Sequence, residues 1–176
     1  MKNYPISEER AREMFKEHSS YIYGVALMIT NHRVLADDIT QETFLRAFAK
    51  FNLYDDTKAL RPWLYRITVN TARNMLRKKS RKQLFTGIPE VDAEDSAELM
   101  AIQSENKQLL WLAVSRLSLK QREVVTLHYY VGLPLPETAL ALSVPLGTCK
   151  SRLHAALKKL RQYYEKEPEL QTMKEG

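Results

Sequence analysis

The stretch RPWLYRITVNTARNMLRKKSRK, residues 61–82, indicates both the fold class and the surface chemistry of this chain. Pro62 suits the first turn of a helix, because its missing N–H would have no intrahelical partner there. At 100° per residue the less polar side chains gather on one face, which predicts an amphipathic helix. This inward face comprises Leu64, Ile67, Thr68, Thr71, Ala72, Met75 and Leu76.

The opposite face of this predicted helix is basic. Its stripe at i, i+4, i+7 and i+11 consists of Arg66, Asn70, Arg73 and Arg77, with Trp63 beside its start. The whole stretch contains no carboxylate, whereas a merely solvated face usually mixes both signs of charge. Guanidinium groups bind phosphates, aromatic rings stack on bases, and an amide pairs with a base edge. We therefore predict that this face binds nucleic acid.

The composition favours a cytoplasmic all-α protein with a polyanionic partner. The chain has 176 residues, a net charge of +6 and only five glycines, and long stretches follow a 3.6-residue period. Cys149 is the single cysteine, which excludes an internal disulfide framework and a multi-cysteine zinc site. No apolar run approaches the ~18 residues of a membrane span, and the N-terminus lacks the apolar core of a signal peptide. We expect neither cofactor, metal nor membrane insertion.

An acidic stretch divides the chain into two predicted domains. Residues 86–105 contain no Lys or Arg, and their acidic residues are Glu90, Asp92, Glu94, Asp95, Glu98 and Glu105. We predict two small helical domains, residues 1–85 and 106–176, joined by this linker. The linker is either a flexible, self-repelling tether or a segment that threads through a basic channel on a partner.

The first domain is predicted to contain two more amphipathic helices. Ser7 can cap the first, and we interpret His18 in its apolar stripe as a core-edge histidine. The second helix carries an unusual outward face, formed by Asp38, Gln41, Glu42 and Leu45. A single exposed leucine usually carries no meaning. An apolar centre with an acidic rim is nevertheless typical of a docking site for a basic protein.

The polar segment at residues 52–60 joins this helix to the basic one. It is too rich in turn-forming residues to be helical throughout. Two interpretations remain open, namely a simple connector and one wall of a pocket for a flipped base.

The second domain is predicted to contain a helix-turn-helix. Ser118 and Gln121 form a capping box, and Gly132 ends the helix that follows. PLPETALAL, SVP and LGTCKSRLHAALKKLRQYY then follow as helix, turn and longer helix, with Cys149 turned inward. Recognition helices meet base edges at their N-terminal end. The candidate DNA contacts there are Gly147, Thr148, Lys150, Ser151 and Arg152, with His154 and Lys158 within reach of phosphates.

Three motifs in this order closely resemble the extracytoplasmic-function subfamily of bacterial RNA polymerase sigma factors. They are DDITQETFLRAF, RPWLYRITVNTARNMLRKKSR and VPLGTCKSRLHAALKKLR. The resemblance implies a first domain that binds the polymerase clamp, in the beta-prime subunit, and that reads and melts the minus-ten promoter element. It implies a second domain that binds the beta-subunit flap and the minus-thirty-five element, and a linker that enters the RNA exit path. An anti-sigma factor is a further implied partner.

The resemblance also implies roles for individual residues. The clamp-binding motif matches Asp38, Gln41, Glu42 and Leu45, and the minus-ten segment contains Trp63, Arg66, Asn70 and Arg73, which Arg77 extends. The chain departs from the family pattern where Pro134, Leu135 and Pro136 replace the usual Ser, aromatic residue and Glu. It also carries Ser143 where Gly is usual in the turn, and these changes leave promoter preference open.

Two other classes of function fit these residues less well. An enzyme is disfavoured, because the four histidines lack metal-ligand spacing and the chain has no phosphate loop or nucleophile motif. The stronger alternative is a helix-turn-helix regulator that binds duplex DNA without polymerase core. Such a regulator has no need of the acidic docking face, and a gel shift with and without core polymerase distinguishes the two.

Overall fold

The computed structural model describes residues 5–86 and 111–166, and within these ranges every regular element is helical. The first domain contains α1 (Glu8–Thr30), α2 (Arg33–Ala49), a 3₁₀ turn (Phe51–Leu53) and α3 (Leu60–Thr86). The second contains helical residues 111–115, α4 (Leu119–Val125) with a π-helical turn (Thr126–Tyr130), α5 (Leu135–Leu142) and α6 (Leu146–Lys166). The all-α prediction is confirmed. Apart from Thr86, the predicted linker lies outside the described residues.

The first two helices are joined by a connection of two residues, each with a defined structural role. Asn31 adopts the left-handed conformation, with φ of 56°, and its N–H bonds to the carbonyl of Leu27 at the end of α1. His32 caps α2, because its Nδ1 accepts a hydrogen bond of 3.2 Å from the N–H of Leu35. At the start of α1 the Ser7 side chain accepts from the N–H of Arg10, as predicted. These caps set the sharp reversal that packs α1 against α2.

Helix α3 packs against α1 and α2 and completes the core of the first domain. Its predicted inward face is confirmed, since Leu64, Thr68, Thr71 and Ala72 are buried and the rest of that face is half-buried. Tyr65 and Val69 are buried as well, so the buried face of α3 is wider than one stripe.

His18 lies at the edge of this core, as predicted. It is only 8% exposed, and burial is the main cause that lowers the pKa of its imidazole.

The second domain contains the predicted helix-turn-helix. The N–H of Ser118 donates to Oε1 of Gln121 over 3.1 Å in the capping box, and Gly132 has a φ of +82° after the π-helical turn. Pro136 lies in the first turn of α5, where a proline removes no intrahelical hydrogen bond. Cys149 is buried in α6, and burial raises the pKa of its thiol, as expected of a core residue.

The two domains contact each other over several elements. α5 packs on α3, and α4 with its π-helical turn packs on α1. One consequence is that α3 is covered from two sides, by its own domain and by the helix-turn-helix.

The turn between α5 and α6 carries a strained serine. Ser143 has a φ of 56°, a conformation that costs an L-residue about 1–2 kcal/mol and glycine very little. We expect Ser143→Gly to raise the free energy of unfolding by about 1 kcal/mol, which thermal unfolding followed by circular dichroism measures. The matched control is Ser20→Gly in the middle of α1, which should lower it by roughly 0.5 kcal/mol. A Ser143→Gly protein no more stable than the wild type would contradict the strain assigned to this turn.

Candidate nucleic-acid and protein interfaces

The basic face of α3 is divided between solvent and the second domain. Arg66, Asn70 and Arg77 are exposed, whereas Trp63 and Arg73 are half-buried. Three of the five predicted contacts are therefore available to a phosphate or a base in this structure.

A pocket of about 520 Å³ lies at the start of α3, large enough for a nucleobase. The first domain lines it with Leu53, Tyr54, Asp55, Lys58, Ala59, Pro62, Trp63 and Arg66, and the second with Glu137, Leu140 and Ala141. The centroids of the Tyr54 and Trp63 rings lie 5.1 Å apart with the rings tilted by 43°. An aromatic pair with basic side chains beside it can stack on an unpaired base and bind its phosphate.

The segment before α3 forms one wall of this pocket and is held by its own hydrogen bonds. The hydroxyl of Tyr54 donates to the carbonyl of Lys58. The side chain of Asp55 accepts from the hydroxyl and the N–H of Thr57 over 2.6 and 3.2 Å. Hydrogen bonds from Thr57 and Lys58 lower the pKa of Asp55 to about 2. The sequence had left this segment as a connector or a pocket wall, and it lines a pocket.

Arg73 binds the second domain. Its Nε and Nη2 donate to the two carboxylate oxygens of Glu123 over 2.6 and 2.7 Å, and its Nη1 donates to the carbonyl of Leu142 over 3.3 Å. The Glu123 side chain is only 1% exposed. The hydrogen bond with Glu123 is the main cause that raises the pKa of the Arg73 guanidinium. In this arrangement Arg73 is not available to DNA.

Glu123 is the interface residue that the sequence did not predict. It lies in α4 between Arg122 and the buried Val124 and Val125, and nothing local to it indicates a partner. In the sequence, Glu123 is marked only by being a carboxylate at a position that helical periodicity places in the core, where a charge needs a partner.

The acidic patch on α2 faces solvent. Asp38 and Gln41 are exposed, and Leu45 is 48% exposed. Glu42 is half-buried and accepts a hydrogen bond of 2.6 Å from Nε of Arg46, one turn along the helix. The structure thus brings all four predicted docking residues together around an exposed leucine.

The start of α6 also presents its predicted residues. The exposed ones are Gly147, Lys150, Ser151, His154 and Lys158, and Thr148 is half-buried. Arg152 is half-buried too, and its Nη1 is buried without a hydrogen-bond partner. Lys150 and Lys158 are therefore better placed for phosphates than Arg152.

Residues 5–86 and 111–166 contain no group of three or more His, Cys, Asp or Glu side chains arranged to hold a metal ion. No helix in the same ranges is long and apolar enough to cross a membrane.

Both domains match known families. Residues 14–82 match sigma-70 region 2, and residues 107–160 match sigma-70 region 4. The chain is 31% identical over 160 residues to the ECF RNA polymerase sigma factor SigL of Mycobacterium tuberculosis, covering 85% of this chain and 86% of the relative. It is 28% identical over 149 residues to the ECF RNA polymerase sigma-E factor of Salmonella typhimurium, covering 77% and 78%.

Two solved structures share the fold. One is the sigma factor RpoE in complex with the anti-sigma factor NepR from Bartonella quintana, with a TM-score of 0.74, 22% identity, and 89% of this chain and 98% of that chain covered. The other is CnrH in complex with the cytosolic domain of CnrY, with a TM-score of 0.65, 21% identity, and 92% and 91% covered. Because the family matches span most of the chain and SigL aligns along nearly all of it, this chain belongs to the extracytoplasmic-function subfamily of RNA polymerase sigma factors, which direct transcription from specific promoters.

Proposed function

We propose that this sigma factor binds core polymerase and the two promoter elements through three separate surfaces. The acidic patch of α2 binds core polymerase, the basic face of α3 with its pocket reads and opens the minus-ten element, and the start of α6 reads the minus-thirty-five element. The observation that carries this proposal is the separation of charge, because the acidic patch and the carboxylate-free basic stretch lie on neighbouring helices of one domain. The first suits a basic protein surface and the second suits DNA.

The α2 patch has the form of a protein docking site. Leu45 supplies exposed apolar area, and the acidic rim formed by Asp38 and Glu42 can steer a basic partner. We assign this patch to the clamp of the beta-prime subunit. The flap of the beta subunit is assigned to the second domain.

The face of α3 suits unpaired bases. Opening a duplex costs a few kcal/mol per flipped base, and a factor that hydrolyses no nucleotide must supply this from binding. Stacking on an aromatic ring contributes about 1–3 kcal/mol per base, which is of the same size. Trp63 and Tyr54 in the pocket offer such stacking, and exposed Asn70 offers an amide for a base edge.

The start of α6 suits a duplex. Lys150 and Ser151 are exposed in the first turns, with His154 and Lys158 further along the same helix. In this geometry the first turns enter the major groove and the later cations lie near phosphates.

We further propose that the chain acts in the cytoplasm, by binding alone and without a cofactor. RpoE and CnrH were both solved with a partner protein, an anti-sigma factor in one case and the cytosolic domain of CnrY in the other. This supports an anti-sigma factor as a partner of the present chain as well.

The docking assignment is tested at Leu45. We expect Leu45→Arg to weaken binding to core polymerase by about 2 kcal/mol, because it places a charge at the apolar centre of the patch. Replacing Asp38 and Glu42 by Lys should act in the same direction. The measurement is competition with wild type for core polymerase, with helical content checked by circular dichroism. The control is the charge reversal Glu13→Lys on exposed α1, and a Leu45→Arg protein that competes as well as this control would refute the assignment.

The strand-opening assignment is tested at Asn70 and Trp63. We expect Asn70→Ala and Trp63→Ala to impair transcription from a duplex promoter more than from the same promoter with a pre-melted mismatch bubble, because they remove base capture worth ~1–3 kcal/mol per base. Run-off transcription on the two templates measures this. Gln162→Ala, an exposed amide change in α6, is the control, and melting temperatures separate a packing defect of Trp63. Equal losses on both templates would rule out a role in opening.

A further inference from the structure

We propose that a second pocket, at the turn between α1 and α2, binds the phosphate group of a small phosphorylated molecule. This turn pocket has a volume of about 260 Å³ and lies between the turn, the C-terminal half of α3 and α4. Its lining includes His32, Leu35, Leu76, Lys79, Ser80 and Arg122. The pocket lies outside the three surfaces assigned to polymerase and promoter DNA, so the inference goes beyond the proposed function.

The lining of the turn pocket is positively charged. Lys79 of α3 and Arg122 of α4 both line it, and among the described residues no Asp or Glu does. Two cations that face one cavity repel each other, and an anion between them replaces this repulsion by attraction. Phosphate has several oxygens that can accept from a guanidinium and an ammonium group at once. The pocket therefore suits a phosphate better than a cation or an uncharged molecule.

Arg122 is a half-buried cation without a carboxylate of its own. Its Nη1 donates to the carbonyl of Ser115 over 3.0 Å, and its Nε is buried without a hydrogen-bond partner in the described part of the chain. The adjacent Glu123 is bound through both carboxylate oxygens by Arg73. Burial lowers the pKa of the Arg122 guanidinium, and the charge of Glu123 opposes this by a smaller amount. An anion in the pocket would offset the cost of burying this charge.

The start of α2 contributes a hydrogen-bond donor and a favourable dipole. Nδ1 of His32 accepts from the N–H of Leu35, so the proton of the neutral ring is on Nε2, which can donate. Both residues line the pocket. The N-terminal end of this 17-residue helix is partially positive, and its first turn contains no acidic residue. Helix ends of this kind favour phosphate, and here the helix end adds to two cations from other elements.

The turn pocket is separate from the proposed DNA-binding face of α3. Lys79 comes nine residues after Asn70. At about 100° per residue their side chains leave the helix in opposite directions. In agreement with this, Asn70 is exposed and Lys79 is half-buried. The pocket is therefore not a continuation of the basic stripe.

The size of the turn pocket favours a phosphate ester over a bare phosphate ion. A phosphate ion of five heavy atoms occupies at most roughly 150 Å³, taking about 30 Å³ for each atom as in liquid water, so a pocket of 260 Å³ has room for more. Leu35 and Leu76 give it an apolar wall. We therefore expect a phosphate monoester whose less polar part lies against these two leucines.

Lys79→Gln and Arg122→Gln test the site, and Lys78→Gln is the matched control. Each substitution removes one positive charge. Lys78 is exposed on α3 and does not line the pocket. Circular dichroism verifies folding. Lys79→Gln decides alone if Arg122→Gln does not fold, because Arg122 also bonds to the carbonyl of Ser115.

Isothermal titration calorimetry of the full chain, at fixed ionic strength in chloride, measures the binding of three probes. They are inorganic phosphate, phenyl phosphate and phenol. We expect one saturable site for the two phosphates, tighter binding of phenyl phosphate, and no binding of phenol. Lys79→Gln and Arg122→Gln should each weaken phosphate binding by roughly tenfold, whereas Lys78→Gln should bind as the wild type does.

Nuclear magnetic resonance locates the bound phosphate. In ¹H–¹⁵N spectra of the full chain, inorganic phosphate should shift the amide signals of Leu35, Ser80 and Arg122 with one common saturation curve. These residues come from three different helices and meet only at the turn pocket.

Three results would overturn the inference in whole or in part. Equal weakening in Lys78→Gln and Lys79→Gln would show that binding follows the net charge of α3 and not the pocket. The absence of saturable phosphate binding would rule out the site altogether. Phenyl phosphate that binds no more tightly than inorganic phosphate would contradict the role of the two leucines. None of these measurements involves polymerase or DNA, so each result is independent of the proposed function.

Discussion

The ion pair between Arg73 and Glu123 joins the two domains across their interface. It joins the middle of α3 to the middle of α4, and the carbonyl of Leu142 at the end of α5 accepts from the same guanidinium. Two helices of the second domain, α4 and α5, therefore bind one side chain of the first domain. The charge of Glu123 is acceptable in a nearly dry site only because both of its oxygens are paired.

Two structural requirements constrain the sequence of helix α3. Its inward face completes the core through Leu64, Thr68 and Ala72, and its outward face is free of carboxylates, which suits the DNA binding that we propose for it. Threonine is compatible with burial in this core. The hydroxyl of Thr68, for example, donates to the carbonyl of Leu64 within the helix and so is not left unpaired. Arg73 belongs to the outward stripe, and in this structure Glu123 of the second domain binds it.

Periodicity and caps predicted most of the fold. The inward face of α3, the capping box at Ser118 and the helix-turn-helix are local patterns, and the structure confirms them. The partner of Arg73 was not predictable, because Glu123 is 50 residues away in the chain. The expectation that Glu123 is buried does not indicate which residue binds it. The burial of Tyr65 beside Leu64 likewise depends on tertiary packing. Family membership resolves the choice between a sigma factor and a duplex-binding regulator in favour of the sigma factor.

We propose that this chain confers promoter specificity on core polymerase through α2, α3 and α6. Run-off transcription with purified core polymerase on genomic fragments, followed by mapping of the start sites, tests it most directly. We predict defined start sites that need the chain and that share upstream and minus-ten sequences at fixed spacing. Transcription that is the same with and without the chain, while the chain alone binds those fragments as duplexes, would contradict it.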